Sequence, residues 1–283
     1  MLRPNLIYDI GAHHGDDTAY YLNNGFNVIA VEANPFLAQQ LENRFQKEIN
    51  DGKLVVENAA IAENAGQKIH FYVSRDDWRS SVLKNIAERE SQITHTIDVA
   101  TQTLPSLFDR YGAPFYCKID IEGYDNVAIN GLLEYNERPS YISCELSCGS
   151  IANINRNTDL LYTTIDALHT AGYSGFQLID QDSLLQLQDK NHYQRLHKLP
   201  VRIMTRLERM TGWYSKKYNN RLYVARKRNT SPDYVSSPFG SALKGIWEDY
   251  FTTKQRILYH FQNYFLYEEN KELIFWVDIH AKF

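Results

Sequence analysis

The chain has 283 residues, enough for one large domain or a core with a cap, and its net charge of −4 gives no global pull toward nucleic acid or membrane. Its three cysteines, Cys117, Cys144 and Cys148, lack metal-ligand spacing and read as reduced core thiols. No apolar run approaches the ~20 residues that span a bilayer, and MLRPNLIYDIG leads into a strand rather than a signal peptide, so a cytoplasmic protein is expected.

The first element is the apolar run Leu6, Ile7, Tyr8, ending in Asp9 and turning at Gly11 and Gly15 into a helix near 16–24. A second apolar run, 27–32, ends in Glu32, about twenty residues beyond the first glycine, where a carboxylate can accept hydrogen bonds from ribose hydroxyls. The glycines alone suit an ordinary strand-to-helix loop. With Asp9 and Glu32 they read as a nucleoside site. A dinucleotide turn needs G-x-G-x-x-G, but two positions beyond Gly11 stands His13, so a pyrophosphate is poorly served. S-adenosylmethionine, with a ribose and an adenine but no phosphate, fits D-x-G-x-x-x-G better.

A helix near 35–48 follows, then strands near 54–57, 115–121 and 141–146, with KIHFYVS (68–74) and THTIDVA (94–100) as extra strands. Such alternation implies an α/β fold with a mostly parallel sheet covered on both faces. Apolar residues at helical spacing over 157–173 predict a helix capped by Asn157 or Thr158 and ended by Gly172. FQLID (176–180) and RLYVARK (221–227) read as a final antiparallel pair completing seven strands. The segment 189–228 is strongly basic with interleaved aromatics, which suits a solvated lid, a surface for an anionic or sugar-rich acceptor, or a membrane-surface role.

Near 246–269 an aromatic helix carries the stripe Tyr250, Leu258, Phe261, Tyr264 and Phe265, a surface for packing on the sheet or for a homodimer, and 272–283 ends in an apolar run that could form a short strand. The expected organisation is a core over 1–180, a basic insertion or cap over 181–220, and the last core strand with a C-terminal extension over 221–283.

The block YCKIDIEGYD (116–125), preceded by TLPSLFDRYG (103–112), resembles the K-x-D-x-E-G signature that follows a T-L-x-x-L helix in FkbM-type methyltransferases. DIGAHHGDDT, VEANP, NAAI (58–61) and the Ser80-Ser81 pair stand in that family's order, together covering about 6–150. SSPFG (236–240) with Gly245 and Trp247 is a weaker likeness to a tail seen in some members. His13 departs from the family's usual asparagine. The resemblance implies a class I, Rossmann-like methyltransferase that uses S-adenosylmethionine to methylate an oxygen, often of a sugar. It also implies that Asp9, Gly11, Ala12, His13, Gly15 and Thr18 line the methionine half, Glu32 holds the ribose, and Ala33, Asn34, Asn58 and Ala59 border the adenine.

Lys118, Asp120 and Glu122 alternate along a buried strand, so each charge needs a partner or a use. One reading is a structural ion pair between Lys118 and a carboxylate such as Glu145. The other makes Asp120 and Glu122 the groups that position the acceptor and take its proton. A magnesium ion held by Asp120 with Glu122 or Glu145 is a further route to lowering the acceptor's pKa. A sugar or glycan acceptor is expected. An NAD-dependent oxidoreductase or epimerase is disfavoured by the missing central glycine, and a nucleic-acid methyltransferase rests on the basic segment alone.

Overall fold

The computed structural model describes residues 2–88, 91–133, 135–146, 158–180, 185–187, 239–243, 245–265 and 277–283. β1 (Arg3–Ile10), α1 (Asp16–Asn23), β2 (Asn27–Glu32), α2 (Pro35–Arg44), α3 (Gln46–Asn50) and β3 (Leu54–Asn58) form two consecutive β-α-β units. The long helix expected over 35–48 breaks at Phe45 into α2 and α3. Pro35 sits at the start of α2, where its missing N–H is no loss, and the Asn34 side chain caps the helix by accepting from the Phe36 N–H at 3.0 Å.

The chain then departs into a three-stranded sheet: β4 (Ala60–Ile61), β5 (Lys68–Ser74), the short α4 (Lys84–Ala87) and β6 (Ile93–Gln102). α5 (Leu104–Tyr111), opened by a reciprocal Thr103–Ser106 capping box, returns it to the main sheet. There β7 (Pro114–Ile119), α6 (Asp125–Asn130), β8 (Tyr141–Glu145), a helix over Thr163–Thr170 and β9 (Gly175–Asp180) follow. The helix expected over 157–173 begins as a 3-10 turn at Thr158–Tyr162, and Gly172 ends it with φ +98°. Residue 157 lies outside the described residues.

The main sheet runs β10-β9-β11-β8-β7-β1-β2-β3, with β10 (Leu185–Gln186) a two-residue edge added to seven strands. β3, β2, β1, β7 and β8 are parallel neighbours. β11 (Val277–Lys282) lies antiparallel between β8 and β9. The run 176–180 pairs antiparallel with the C-terminal run, Ile279 opposite Leu178, while 221–227, expected as its partner, lies outside the described residues along with the rest of the basic 189–228 segment.

β1 explains how one strand serves two faces. Leu6, Tyr8 and Ile10 join one buried cluster with Leu107, Ile129, Ile165 and Ile257, while Ile7 joins another with Tyr21, Leu41 and Tyr116. The C-terminal helix Tyr250–Phe265 packs on the first cluster through Ile257 and Phe261, with Tyr250 and Leu258 partly buried beside them, so this part of the stripe faces the core. The side chains of Tyr264 and Phe265 lie outside the description. Phe239, from the weakly matching tail, stacks on Tyr116 in the second cluster. Cys117 and Cys144 are buried free thiols, and Cys148 lies outside the described residues.

Because β11 closes the hydrogen-bonding edges of both β8 and β9 and buries Val277, Ile279 and Ala281, we expect removal of residues 277–283 to abolish cooperative thermal unfolding, followed by circular dichroism. A truncated protein melting within a few degrees of the full chain would show that the strand is dispensable.

Candidate active site

A cleft of about 470 Å³ opens where the parallel strands end, lined from the turns after β1, β2, β3 and β7, from the end of β8, from the start of β11 and from the loop after β5. In an open α/β sheet the carboxyl ends of the strands are where ligands bind.

The turn after β1 is fixed by its neighbours. Gly11 and Ala12 N–H groups donate to the Val31 carbonyl (2.9 and 3.1 Å), and the Asp120 N–H donates to Ile10 (2.9 Å). Gly11 has φ +82°, and a Cβ there would sit 1.9 Å from the Asp120 carbonyl oxygen, so only glycine fits. His13 has φ +50°. Asparagine and histidine are among the few non-glycine residues that tolerate that region, so His13 meets the same backbone demand as the family's asparagine. Gly15, also left-handed, faces Leu41 and Phe45 at 2.5 and 2.7 Å from a notional Cβ, which makes it a packing residue.

Glu32 ends β2 with one carboxylate oxygen accepting from the His13 N–H and the other from the Asn34 N–H, both at 2.8 Å. Burial pushes its pKa up and these amides oppose the shift. Two engaged lone pairs leave acceptor capacity for a vicinal diol. The Asn58 amide donates to the backbone oxygens of Glu32 (2.8 Å) and Ala33 (3.2 Å), shaping the turn behind the cleft.

Lys118 is buried, and its ammonium lies 2.9 Å from Asp17 and 3.1 Å from Asp120. Its partners are these two residues, where the sequence suggested Glu145. Burial acts against the charge, but Asp17, Asp120 and Asp9 outweigh it and hold the lysine well above its ordinary pKa. Asp9 is fully buried beneath them. Thr18 Oγ1 donates to its Oδ2 at 2.6 Å while Oδ1 has no hydrogen-bond partner, and burial, opposed by Lys118, pushes its pKa up to about 6.

Beyond Ile119 the chain turns through Glu122 (φ +50°) and Gly123 (φ +86°), and Ser81 of the second sheet donates to the Glu122 carbonyl at 3.0 Å. Ser81 thereby ties the extra sheet to this turn.

Of the residues singled out by sequence, Gly11, Ala12, His13, Glu32, Ala33, Asn34, Ala59, Lys118, Asp120 and Glu122 line the cleft. Asp9, Gly15, Thr18 and Asn58 are not among its lining residues. Asp17, Asp77, Trp78, Tyr124 and Asp278 line it without having been singled out. Asp17 was hidden because two acidic residues opening a helix read as ordinary dipole partners; Trp78, in RDDWR, is an aromatic in a charged loop; Asp278 gave no local signal.

The electrostatics are one-sided. Asp16, Asp17, Glu32, Asp77, Asp120, Glu122, Glu145 and Asp278 line the cleft with Lys118 as the sole Lys or Arg among the described lining residues. Burial, then Glu122 and Asp120, raises Glu145 well above the usual carboxylate range. Asp125, just behind, is buried, and burial followed by Asp120 pushes it up to about 7 against the backbone N–H groups of Asp125, Ile121 and Gly123. Such a lining repels phosphates and favours cationic or neutral polyhydroxylated molecules. Asp120 with Glu122 or Glu145, the pairs the sequence suggested for magnesium, line the cleft. Among the described residues a three-ligand group occurs at His13, His14 and Asp77. There burial and then His14 lower the pKa of His13, against the pull of Asp77. Leu37, Ile61, Phe71 and Val82 give the cleft an apolar part, and no helix among the described residues is long and apolar enough to cross a membrane.

Residues 9–173 match the family model described as Methyltransferase FkbM domain. No curated protein matches the chain. Solved structures with a similar chain path include a precorrin-6y C5,15-methyltransferase from Geobacter metallireducens GS-15, with 11% identity and TM-score 0.33, covering 66% of this chain and 74% of that one. SAM-dependent methyltransferases from Thiobacillus denitrificans (10% identity, TM-score 0.37, covering 99% and 86%) and Geobacter sulfurreducens (10%, 0.35, 100% and 84%) are both in complex with S-adenosyl-L-homocysteine.

The Asp125 carboxyl keeps its proton in the folded state up to about pH 7, whereas the unfolded chain releases it near ~3.9. Its contribution is therefore greatest below the unfolded value and is lost as pH rises through about 7. We expect urea midpoints to fall from pH 5 to 8 and Asp125→Asn to flatten that fall, by on the order of 1–3 kcal/mol at 1.36 kcal/mol per unit; Asp9 and Glu145 leave a residual slope of the same sign. Parallel profiles for both proteins would contradict this.

Proposed function

The chain belongs to the FkbM methyltransferase family, and on that premise we propose that this S-adenosylmethionine-dependent methyltransferase acts on a hydroxyl oxygen of a sugar or glycan. Its sheet has the class I, Rossmann-like form, with β11 reversed between β8 and β9.

The residues present fit the methyl donor. Glu32 has acceptor capacity left at the end of β2, Gly11 keeps the turn open to close approach, and the acidic lining suits a molecule bearing a sulfonium and an ammonium. A pyrophosphate would meet that lining with like charge, which speaks against a nicotinamide cofactor, and a nucleic-acid backbone would meet it in the same way.

Asp120 carries the reading. It stands at the end of β7, its side chain 41% exposed in the cleft that also holds Glu32, with Oδ2 fixed by Lys118 at 3.1 Å. Bound S-adenosylmethionine supplies a methyl group on a good leaving group, so the protein's tasks are to place the acceptor oxygen and to remove its proton. Lys118 holds one Asp120 oxygen and leaves Oδ1 to receive the acceptor's O–H and then its proton as the oxygen bonds to carbon. Glu122 borders the same space. Trp78, 42% exposed at the cleft and covered on one side by the Arg79 guanidinium at 4.1 Å, offers an apolar plane of the kind against which a sugar ring packs. The acceptor class rests on this platform and on the family resemblance.

Incubation with methyl-labelled cofactor and a panel of glycans and small hydroxylated metabolites should place label on a sugar oxygen. Label appearing only on amines or nucleic acid would refute the acceptor assignment. Asp120→Asn should lower kcat about 10²–10⁴-fold, the span of a lost general base, with a smaller effect on cofactor affinity. Glu32→Ala should raise the calorimetric Kd for S-adenosylhomocysteine by one to two powers of ten, since a charged hydrogen bond is worth about 1.5–3 kcal/mol. Unchanged affinity would remove Glu32 from the ribose.

A further inference from the structure

We propose that His13, His14 and Asp77 form a binding site for a divalent transition-metal ion of the zinc class, bridging the turn after β1 and the loop after β5 at the cleft. His13 Nε2 lies 3.3 Å from one Asp77 oxygen and His14 Nε2 lies 3.2 Å from the other. One ligand atom from each of the three residues falls within 4.8 Å of the rest. Around a tetrahedral ion with bonds of about 2.0–2.1 Å, neighbouring donors stand about 3.3 Å apart. Two imidazoles with one carboxylate suit zinc, cobalt, nickel or iron rather than magnesium, which prefers an all-oxygen shell.

The donors are positioned by groups other than each other. The His13 N–H is bound to Glu32, the His14 carbonyl accepts from Arg44 at 2.6 Å, and Asp77 opens a 3-10 turn closed by the Ser80 N–H at 3.0 Å. The two rings stand 4.0 Å apart at 60° and so present their nitrogens to different oxygens. His13 Nε2 is buried and meets Asp77 Oδ1 at 3.3 Å, a long contact that a bond to an ion would replace. All three residues line the cleft, so a fourth coordination position would face its interior. The site does not depend on the identity of the methyl acceptor.

Chelator-treated, dialysed protein, with neither cofactor nor acceptor present, is titrated with cobalt(II) and followed by visible absorption, then with zinc(II) by calorimetry. The expected result is one equivalent bound, with the intense d–d bands of low-coordinate cobalt that zinc displaces. His14→Ala and Asp77→Asn, both at partly exposed side chains, should weaken binding at least tenfold and abolish the bands. His70→Ala, at the exposed His70–Asp98 pair 2.7 Å apart, should leave both unchanged. Wild-type protein that binds no stoichiometric cobalt would overturn the proposal. So would equal binding by either folded variant, because the cluster would then be an ion pair only.

Discussion

The Lys118 ammonium, 2.9 Å from Asp17 and 3.1 Å from Asp120, with Asp9 beneath, is what allows three carboxylates to gather at the end of a parallel sheet. Each carboxylate comes from a different element: β1, the first turn of α1, and the residue after β7. Leaving any buried charge uncompensated costs about 3–5 kcal/mol, a large part of a domain's net stability. The lysine thus does two jobs with one charge, tying the β1–α1 and β7–α6 connections together and holding an Asp120 oxygen in the cleft.

Around that charge the backbone leaves little freedom. Gly11 passes so close to the Asp120 carbonyl that a side chain cannot be accommodated, and the Asp120 N–H is bound to Ile10. The turn that would hold a methyl donor and the residue proposed to take the acceptor's proton are therefore parts of one contact. Ser81 extends the coupling to the second sheet through the Glu122 carbonyl, so the loop bearing Asp77 and Trp78 is anchored to the same floor.

Much of this was legible in the sequence, for identifiable reasons. The parallel strands, Gly11 and Glu32 follow from local signals, namely short apolar runs, a turn that only glycine permits and a carboxylate at a fixed offset. What stayed hidden depends on contacts distant in the chain. Nothing local in VDIHAK says that it slots between β8 and β9, or that Asp278 then stands opposite Glu145. The resemblance implies Thr18, and a strand end suggests Asn58, as ligand neighbours; the Thr18 hydroxyl donates to Asp9 and the Asn58 NH2 donates to the β2 turn. Asn34 lines the cleft yet uses its side-chain oxygen as a helix cap. Spacing identifies the neighbourhood; the hydrogen-bond inventory decides what each side chain has left to offer.

The late position of β11 has a kinetic side. Asp180 ends β9 and Val277 begins β11, a separation of 97 positions. At the usual ~5–20 residues per second of protein synthesis, β9 waits about 5–20 s on the ribosome, and β8, made earlier, still longer, before their shared neighbour exists. Through that interval two apolar strands offer open edges of the kind that recruit foreign chains, so the yield of native protein in a cell should hinge on chaperone occupancy during elongation as much as on the equilibrium strength of the finished sheet.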